Sequence, residues 1–239
     1  MPLPKISTPT YELTLPSTGK QIQYRPFLVK EEKVLVIALE SEDTKQITTA
    51  IKNVIKSCIQ TRGVKVESLP TFDIEYLFLN IRGKSVGEVV EVNLVCPDDN
   101  ETTVKAEINL DDIQVEKTEG HTNKIKIDNE IMMEMKYPSL DEFIKNNFDM
   151  SGGSDMDQSF ELIASCIDKI YTADEVWTAA DCTKKEIRDF LEQMNSSQFK
   201  EIENFYTTMP KLSHTLEITN PKTKVTSEVV LEGLASFFG

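Results

Sequence analysis

The chain has 239 residues, of which 39% are hydrophobic and 28% charged, a composition typical of a globular protein with its own core. Its 40 acidic and 26 basic residues give a net charge of −14, which argues against binding to nucleic acid or anionic lipid. No stretch approaches the roughly 20 continuous apolar residues of a membrane span, and the N-terminus has no apolar run typical of a signal peptide. We therefore expect the chain to fold in a cytoplasm, with its acidic residues forming either a solvated surface or one complementary to a basic protein partner.

The N-terminal third predicts one β-hairpin followed by three helices. Tyr11, Leu13 and Leu15 alternate with polar residues, and a turn over 16–19 precedes a second alternating run. A helix is predicted over 30–39. The next helix, capped by Asp43 or Thr44, has one apolar stripe formed by Ile47, Ile51, Val54, Ile55, Cys58 and Ile59. A third helix begins at Thr71 and is apolar on nearly every side, which indicates deep burial.

The middle of the chain switches to the period of two that is typical of strands. One hairpin is predicted over 86–110 around the turn 97–100, and another over 125–137 around Asp128 and Asn129. Pro138 and Ser139 begin a helix that Glu142 completes as a capping box. The segment 151–154, Ser-Gly-Gly-Ser, is typical of a flexible connection, and we place a lobe boundary there.

The C-terminal part predicts three amphipathic helices, around 160–167, 183–194 and 199–209, and a last hairpin around the turn 220–223. An internal repeat is also suggested, because an aromatic helix precedes a proline-containing hairpin turn twice, with Cys96-Pro97 corresponding to Asn220-Pro221. Chance recurrence is an equally good explanation of this similarity. The expected fold class is α+β, with several antiparallel hairpins and about six helices in an N-terminal lobe (1–150) and a C-terminal lobe (151–239).

The sequence shows no motif for catalysis, a cofactor or a metal. Its two histidines, His121 and His214, have no motif partner, and no phosphate-binding glycine loop occurs. Cys96 lies before a proline turn as in a zinc ribbon, but it lacks the Cys-x-x-Cys pairs that such a site requires. We therefore expect a protein without catalytic residues, metal or cofactor.

Four segments resemble the baseplate hub proteins of T-even-type contractile-tailed bacteriophages. They are Leu15-Pro16-Ser17-Thr18-Gly19, the run from Tyr24 to Lys33, the run from Phe72 to Leu79 with Arg82 and 85–88, and the ending from Leu231 to Phe238. The resemblance is dense over 9–95, moderate at the C-terminus and thin between 110 and 195. It implies a component of the tail baseplate that is assembled in the host cytoplasm and, if retained, lies in the virion tail.

The resemblance implies a structural or assembly protein that binds other hub or tail proteins, with the tape-measure protein as one candidate. One alternative is a transient chaperone for the hub or tape-measure protein that is absent from the virion, and a more remote one is a hydrolase or metal enzyme with an unrecognised site. Candidate interface residues are Arg25, whose planar guanidinium can bind a carboxylate, and the aromatic pair Phe237 and Phe238. Local pairing of Arg25 within the fold is an equally good interpretation.

Overall fold

The structure, a computed structural model, describes residues 6–140, 155–233 and 236. Within these ranges the six helices are α1 (Val29–Glu40), α2 (Thr44–Cys58), α3 (Thr71–Val86), α4 (Asp155–Cys166), α5 (Lys184–Glu192) and α6 (Ser196–Thr208). The strands are β1 (Tyr11–Thr14), β2 (Gln21–Tyr24), β3 (Val89–Val95), β4 (Thr103–Asn109), β5 (Gln114–Glu116), β6 (Lys124–Lys126), β7 (Met132–Met135), β8 (Ile167–Tyr171), β9 (Val176–Thr178), β10 (Lys211–Thr219) and β11 (Thr226–Glu232).

Every strand pairing among the described residues is antiparallel, which confirms the α+β fold class. The sheets have the orders β1-β2, β3-β4, β11-β10-β5 and β6-β7-β8-β9. The predicted hairpins β1–β2, β3–β4, β6–β7 and β10–β11 are all present. Helices α1 and α2 are also present, and Asp43 caps α2 by accepting the backbone N–H groups of Lys45 and Gln46.

The chain divides into two compact units, and the division differs from the expected boundary near residue 150. The first unit comprises Met1–Val66, Phe72–Glu116 and Lys211–Gly239, and the second comprises Glu67–Thr71 and Lys117–Pro210. Two sheet pairings explain the difference: β5 pairs with β10, and β7 pairs with β8 across the expected boundary. Each unit is therefore described separately below.

The hairpins β3–β4 and β10–β11 enclose a core of the first unit. Val90, Val92 and Leu94 alternate with exposed residues along β3, as the period of two requires. They pack with buried residues of the neighbouring elements: Leu79, Cys96, Ile108, Leu110, Ile113, Leu212, Ile218 and Leu231. Two of the three hairpins in this unit are thus joined through their apolar faces.

All three hairpins of the first unit turn in the same way. Each turn begins with a buried residue followed by proline and ends four residues later at a residue with positive φ, whose N–H bonds to the first residue's carbonyl. The final residues are Gly19 (φ 67°), Asn100 (φ 54°) and Lys224 (φ 65°). The turns are Leu15–Gly19, Cys96–Asn100 and Asn220–Lys224. The similarity seen between the second and third turns therefore extends to a third.

The tips of the second and third turns are hydrogen-bonded to each other. Asn220 Nδ2 donates to both carboxylate oxygens of Asp98, each at 3.1 Å. The Thr223 hydroxyl donates to the same carboxylate at 2.5 Å. These bonds lower the pKa of Asp98, with the Thr223 bond contributing most. The ends of the two hairpins are thus joined by polar contacts, just as their strands are joined by apolar ones.

The second unit packs α4, α5 and α6 against the four-stranded sheet. Its core contains Met133 and Met135 from β7, Ile163 and Cys166 from α4, and Ile202 from α6. Thr183 and Glu186 form the predicted capping box at the start of α5, with the Thr183 hydroxyl accepting the Glu186 N–H. The two methionines fill the core, as the sequence indicated.

Several local expectations differ from the structure or fall outside it. Ile167 was assigned to a helix, but α4 ends at Cys166 and Ile167 begins β8. Val86 was assigned to a strand, but it ends α3 and is exposed. The capping box of Ser139 with Glu142 and the segment 151–154 lie outside the described residues.

Candidate protein-interaction surface

Helix α1 exposes apolar side chains on several sides. Residues 34–39 are six consecutive apolar residues, and a helix with about 100° between neighbours directs such a run in all directions. Of these, only Ala38 is buried, whereas Val34, Val36, Ile37 and Leu39 remain between 46% and 57% exposed. Several exposed apolar side chains close together on one helix are typical of a surface that contacts another protein.

An open groove separates α1 from α2. The two helices are joined by residues 41–43, so they lie side by side as antiparallel neighbours. The groove has a volume of about 430 Å³. Its lining comprises Val34, Ile37 and Ala38 from α1 and Lys45, Gln46, Thr49, Ala50 and Asn53 from α2. One wall is therefore apolar and the other polar.

Arg25 contacts both α1 and α2 and is not part of the exposed apolar surface. Its guanidinium lies 3.0 Å from the Glu31 carboxylate, and both side chains are largely buried. It also donates to the carbonyl oxygens of Pro26 at 2.8 Å and Ser57 at 3.0 Å. The structure thus shows the local pairing that the sequence left open for Arg25, and this one side chain connects β2 to both helices.

Glu31 completes the connection at the start of α1. Its carboxylate accepts the Leu28 N–H at 2.7 Å as well as the Arg25 bond. Burial by itself raises the pKa of Glu31, but the bonds from Arg25 and Leu28 outweigh it and hold that pKa below its ordinary value. Glu31 is therefore ionised at neutral pH.

The surface consists of residues that the sequence did not single out. Of the predicted interface residues, Arg25 is largely buried and paired with Glu31, and Phe237 and Phe238 lie outside the described residues. The apolar run 34–39 was visible in the sequence, since a helix cannot bury all sides of such a run against one neighbour. Its exposure became evident only once the positions of α1 and α2 were known.

His121 has a structural environment in the second unit. Its Nδ1 lies 2.9 Å from the Thr208 hydroxyl, and its Nε2 lies 3.0 Å from the Tyr137 hydroxyl. The Thr208 hydroxyl already donates to the Asn204 carbonyl, so it accepts from His121 Nδ1, and Nε2 accepts from Tyr137. Burial lowers the pKa of His121, which favours the neutral ring. Hydrogen bonds to both ring nitrogens therefore hold the ring in place, and the ring also stacks on Tyr137 and contacts the tilted ring of Phe205.

A second groove, about 420 Å³ in volume, lies between strand β6 and helix α6 in this unit. It is lined by Lys124, Lys126 and Glu201 among other residues, and Gln198 crosses part of it to donate to the Ile127 carbonyl at 2.9 Å. Its charged groups are of both signs.

The cysteines and acidic residues show no metal-binding arrangement in the described part of the chain. Within it, no group of three or more His, Cys, Asp or Glu side chains lies close enough to hold a metal ion. Burial raises the pKa of Cys58 to about 11. The pKa of Cys96 is also raised, mainly by burial and to a smaller extent by the negative charges of Asp98 and Asp99. Among the described helices none is both long and apolar enough to span a membrane.

Comparison with known protein families shows which family the chain belongs to. The family described as T4 bacteriophage base plate protein matches residues 8–239. The chain belongs to this family. Neither the comparison with curated proteins nor the comparison with solved structures gave a match. Family membership implies a place in the virion tail baseplate and association with other baseplate or tail proteins, and it favours a structural role over a catalytic one.

Three of the four segments on which the phage resemblance rests are connected to one another in the structure. Ser17, in the first turn, donates its backbone N–H to the Asp73 carboxylate of α3 at 3.0 Å, and its hydroxyl donates to the same group. Phe27 donates its backbone N–H to the Ser85 hydroxyl at 2.9 Å. The residues of these segments therefore form a hydrogen-bonded framework beside α1.

Proposed function

We propose that this base plate protein is a structural or assembly component of the baseplate hub that acts by binding other tail proteins. The observation that carries the proposal is the exposed apolar surface of α1 beside its groove with α2. A partner that covered Val34, Ile37 and Leu39 would gain a binding free energy of about 25 cal/mol for each Å² of apolar surface removed from water. The proposed partners are other hub proteins, with the tape-measure protein as one candidate.

The C-terminal aromatic pair supports a second contact in the same role. In the sequence, Phe237 and Phe238 come shortly after the end of β11 at Glu232, and β11 and α1 both belong to the first unit. Aromatic side chains commonly dominate protein interfaces. We propose that this segment contacts a hub protein, and deletion of residues 235–239 should then reduce incorporation while leaving thermal stability unchanged.

Quantitative mass spectrometry of purified virions and isolated baseplates tests the proposed role. If the chain is a structural component, its peptides should occur in both at a constant ratio to other baseplate proteins. Presence in hub intermediates with absence from virions would replace the structural role with the transient chaperone role. Absence from both would contradict the proposal.

A further inference from the structure

Strand β11 forms an open edge of the sheet β11-β10-β5. It has seven residues, and its register with β10 runs without a bulge from Thr226 to Glu232. Proteins commonly protect such an edge with a short strand, a bulge or a proline, and β11 has none of these. No described strand pairs with the side of β11 that faces away from β10. The edge is therefore open to pairing with a further strand.

The hydrogen-bond pattern shows which backbone groups of β11 point away from β10. One step beyond the end of the paired residues, Gly233 donates its N–H to the Leu212 carbonyl at 2.9 Å. Because bonded and non-bonded pairs alternate along antiparallel strands, every second residue back from Gly233 bonds to β10, and the residues between point their N–H and C=O groups away. These outward residues are Thr226, Glu228, Val230 and Glu232. The Glu232 carbonyl accepts the Ser236 hydroxyl at 2.7 Å, and no described residue bonds to the outward backbone groups of the other three.

The exposed face of this edge has an unbalanced negative charge. Glu228 lies directly opposite Glu217 of β10, and both residues are exposed. They form a pair without backbone hydrogen bonds, in which side chains lie closer together, and like charges directly opposite each other destabilise a sheet. Lys211 on the same face lies 3.5 Å from the Glu232 carboxylate. Lys224 is four positions before Glu228, roughly 13 Å along an extended chain.

The hairpin β3–β4 has a similar pair of glutamates, but there the chain itself supplies a positive charge. Glu91 lies directly opposite Glu107, and the Lys105 ammonium group lies 3.4 Å from the Glu91 carboxylate. No described residue forms an ion pair with Glu217 or Glu228. A positive charge beside Glu228 therefore has to come from outside the described part of the chain.

We propose that β11 receives an extended segment of a partner protein, which adds a further strand to the sheet and places a lysine or arginine beside Glu228. Main-chain hydrogen bonds to Thr226, Glu228 and Val230 hold the segment, and its alternate side chains determine which segment binds. Val230 is 54% exposed, and a β-branched residue two positions from the basic one covers it.

The charge on this edge favours a different protein over a second copy of this chain. Pairing of β11 with another β11 would add two more glutamates to the same face, whereas a basic segment balances those already present. This inference rests on the proposed function for the existence of a protein partner, and it assigns that partner a surface distinct from α1.

Binding of synthetic peptides to the purified full chain tests the inference. The probe is a fluorescent peptide of about nine residues in which threonines alternate with valine, a central lysine and valine, so that its sequence is the same in both directions. One matched peptide has glutamate in place of the lysine. Another carries N-methyl groups on both valines, which removes N–H donors that face β11. The lysine peptide should bind at least about tenfold more tightly than either in fluorescence anisotropy, and it should slow amide exchange at Thr226, Glu228 and Val230.

Variants locate the binding site. Glu228→Lys should reverse the preference, so that the glutamate peptide binds more tightly than the lysine peptide. Val230→Pro removes an outward N–H without removing a bond to β10, and it should weaken binding of the lysine peptide at least about tenfold. The matched control Glu107→Lys, which also lies opposite a glutamate, should leave binding unchanged. If Val230→Pro fails to fold in a thermal melt, Glu228→Lys still tests the site.

Four results would overturn the inference. The first two are equal affinity for the lysine and glutamate peptides and full binding of the N-methylated peptide. The third is binding only after removal of residues 237–239, which would make this chain's own C-terminus the occupant. The fourth is a dimer in sedimentation that Val230→Pro dissociates, which would make a second copy the occupant. None of these results depends on the composition of virions, so failure of this inference is distinguishable from failure of the proposed function.

Discussion

Arg25 shows what a single side chain can do in this fold and why its role was ambiguous in the sequence. Its partners Glu31, Pro26 and Ser57 come from α1, from its own neighbour and from the end of α2. Glu31 is close enough along the chain to be anticipated. The Ser57 carbonyl is 32 residues away, and only the packing of α2 beside β2 brings it within reach.

Replacement of Arg25 should destabilise the isolated protein. Arg25→Met leaves Glu31 buried without its strongest partner, so the free energy of unfolding should fall by about 3 kcal/mol. Urea denaturation measures this, and Arg62→Met, at an exposed position, should change it by less than about 0.5 kcal/mol. A fully stable Arg25→Met protein that no longer enters baseplates would instead place Arg25 at an interface.

Asp73 allows a test of how a buried charge affects stability where the first hairpin contacts α3. Burial raises its pKa, and the two bonds from Ser17 offset this only in part. A raised folded-state pKa means that the contribution of Asp73 to stability is fully present below its ordinary value of about 4 and is lost as pH rises through the folded value. At neutral pH the ionised carboxylate therefore reduces the stability that its hydrogen bonds provide.

Asparagine should consequently replace Asp73 without loss at pH 7. Its Oδ1 can accept the Ser17 N–H and its Nδ2 can donate to the Ser17 hydroxyl, so the unfolding free energy should equal or exceed that of the unmodified protein. Asp73→Ala removes both bonds and should lower it by about 1–3 kcal/mol. The advantage of Asp73→Asn should shrink as pH falls towards 4. Equal destabilisation by the two variants would show that the ionised carboxylate is required.

At the scale of elements, the shared turn explains why three hairpins of different sequence have the same form. Proline at the second position fixes φ near the value that the turn needs, and the fifth position requires a positive φ. Glycine meets this requirement in the first turn, asparagine tolerates it in the second, and lysine occupies it in the third. The third turn is therefore the most strained of the three.

Glycine at the strained position should stabilise the protein. Lys224→Gly should raise the free energy of unfolding by about 1 kcal/mol, since lysine at positive φ costs roughly that amount. Gly19→Ala should lower it by a similar amount for the same reason. Lys222→Gly, in the same turn but without positive φ, is the matched control and should give no gain. Equal gains from both glycine variants would exclude relief of strain as the cause.

Much of the secondary structure could be predicted, because its elements have strong local patterns. Helices α1, α2, α5 and α6 and the four hairpins follow from apolar periodicity, caps and proline turns. The strands β5 and β9 have three residues each, too few for alternation to be visible. The change from helix to strand between Cys166 and Ile167 has no proline or glycine to mark it. Strands β5 and β8 pair with the distant strands β10 and β7, which no local pattern shows, whereas β9 pairs with the neighbouring β8.

At the scale of the whole molecule, the first unit depends on both ends of the chain. Its core includes Leu212, Ile218 and Leu231, which follow the whole of the second unit in sequence. No local pattern could have shown that β5 pairs with β10 about a hundred residues later. A boundary near residue 150 was inferred from composition alone, and the strand pairings divide the chain differently.

A shortened chain tests this organisation. A protein ending at residue 150 lacks β10 and β11 and should give no cooperative thermal transition, because the core around Val92 and Ile108 then lacks one of its two hairpins. Circular dichroism during heating measures this, with the full chain as the reference. A cooperative transition close to that of the full chain would show that residues 1–150 fold by themselves.

The proposed role requires that the exposed apolar surface of α1 joins this protein to other baseplate proteins. Its most direct test is complementation of a phage that lacks its own copy, using the unmodified chain, Ile37→Asp or Val176→Asp. Both substitutions lie at exposed positions, so both proteins should keep their stability within about 0.5 kcal/mol. Ile37→Asp should lower the yield of complete baseplates at least about tenfold, since a carboxylate buried at the interface would oppose binding, whereas Val176→Asp should not. Full complementation by a stably folded Ile37→Asp protein would contradict the claim.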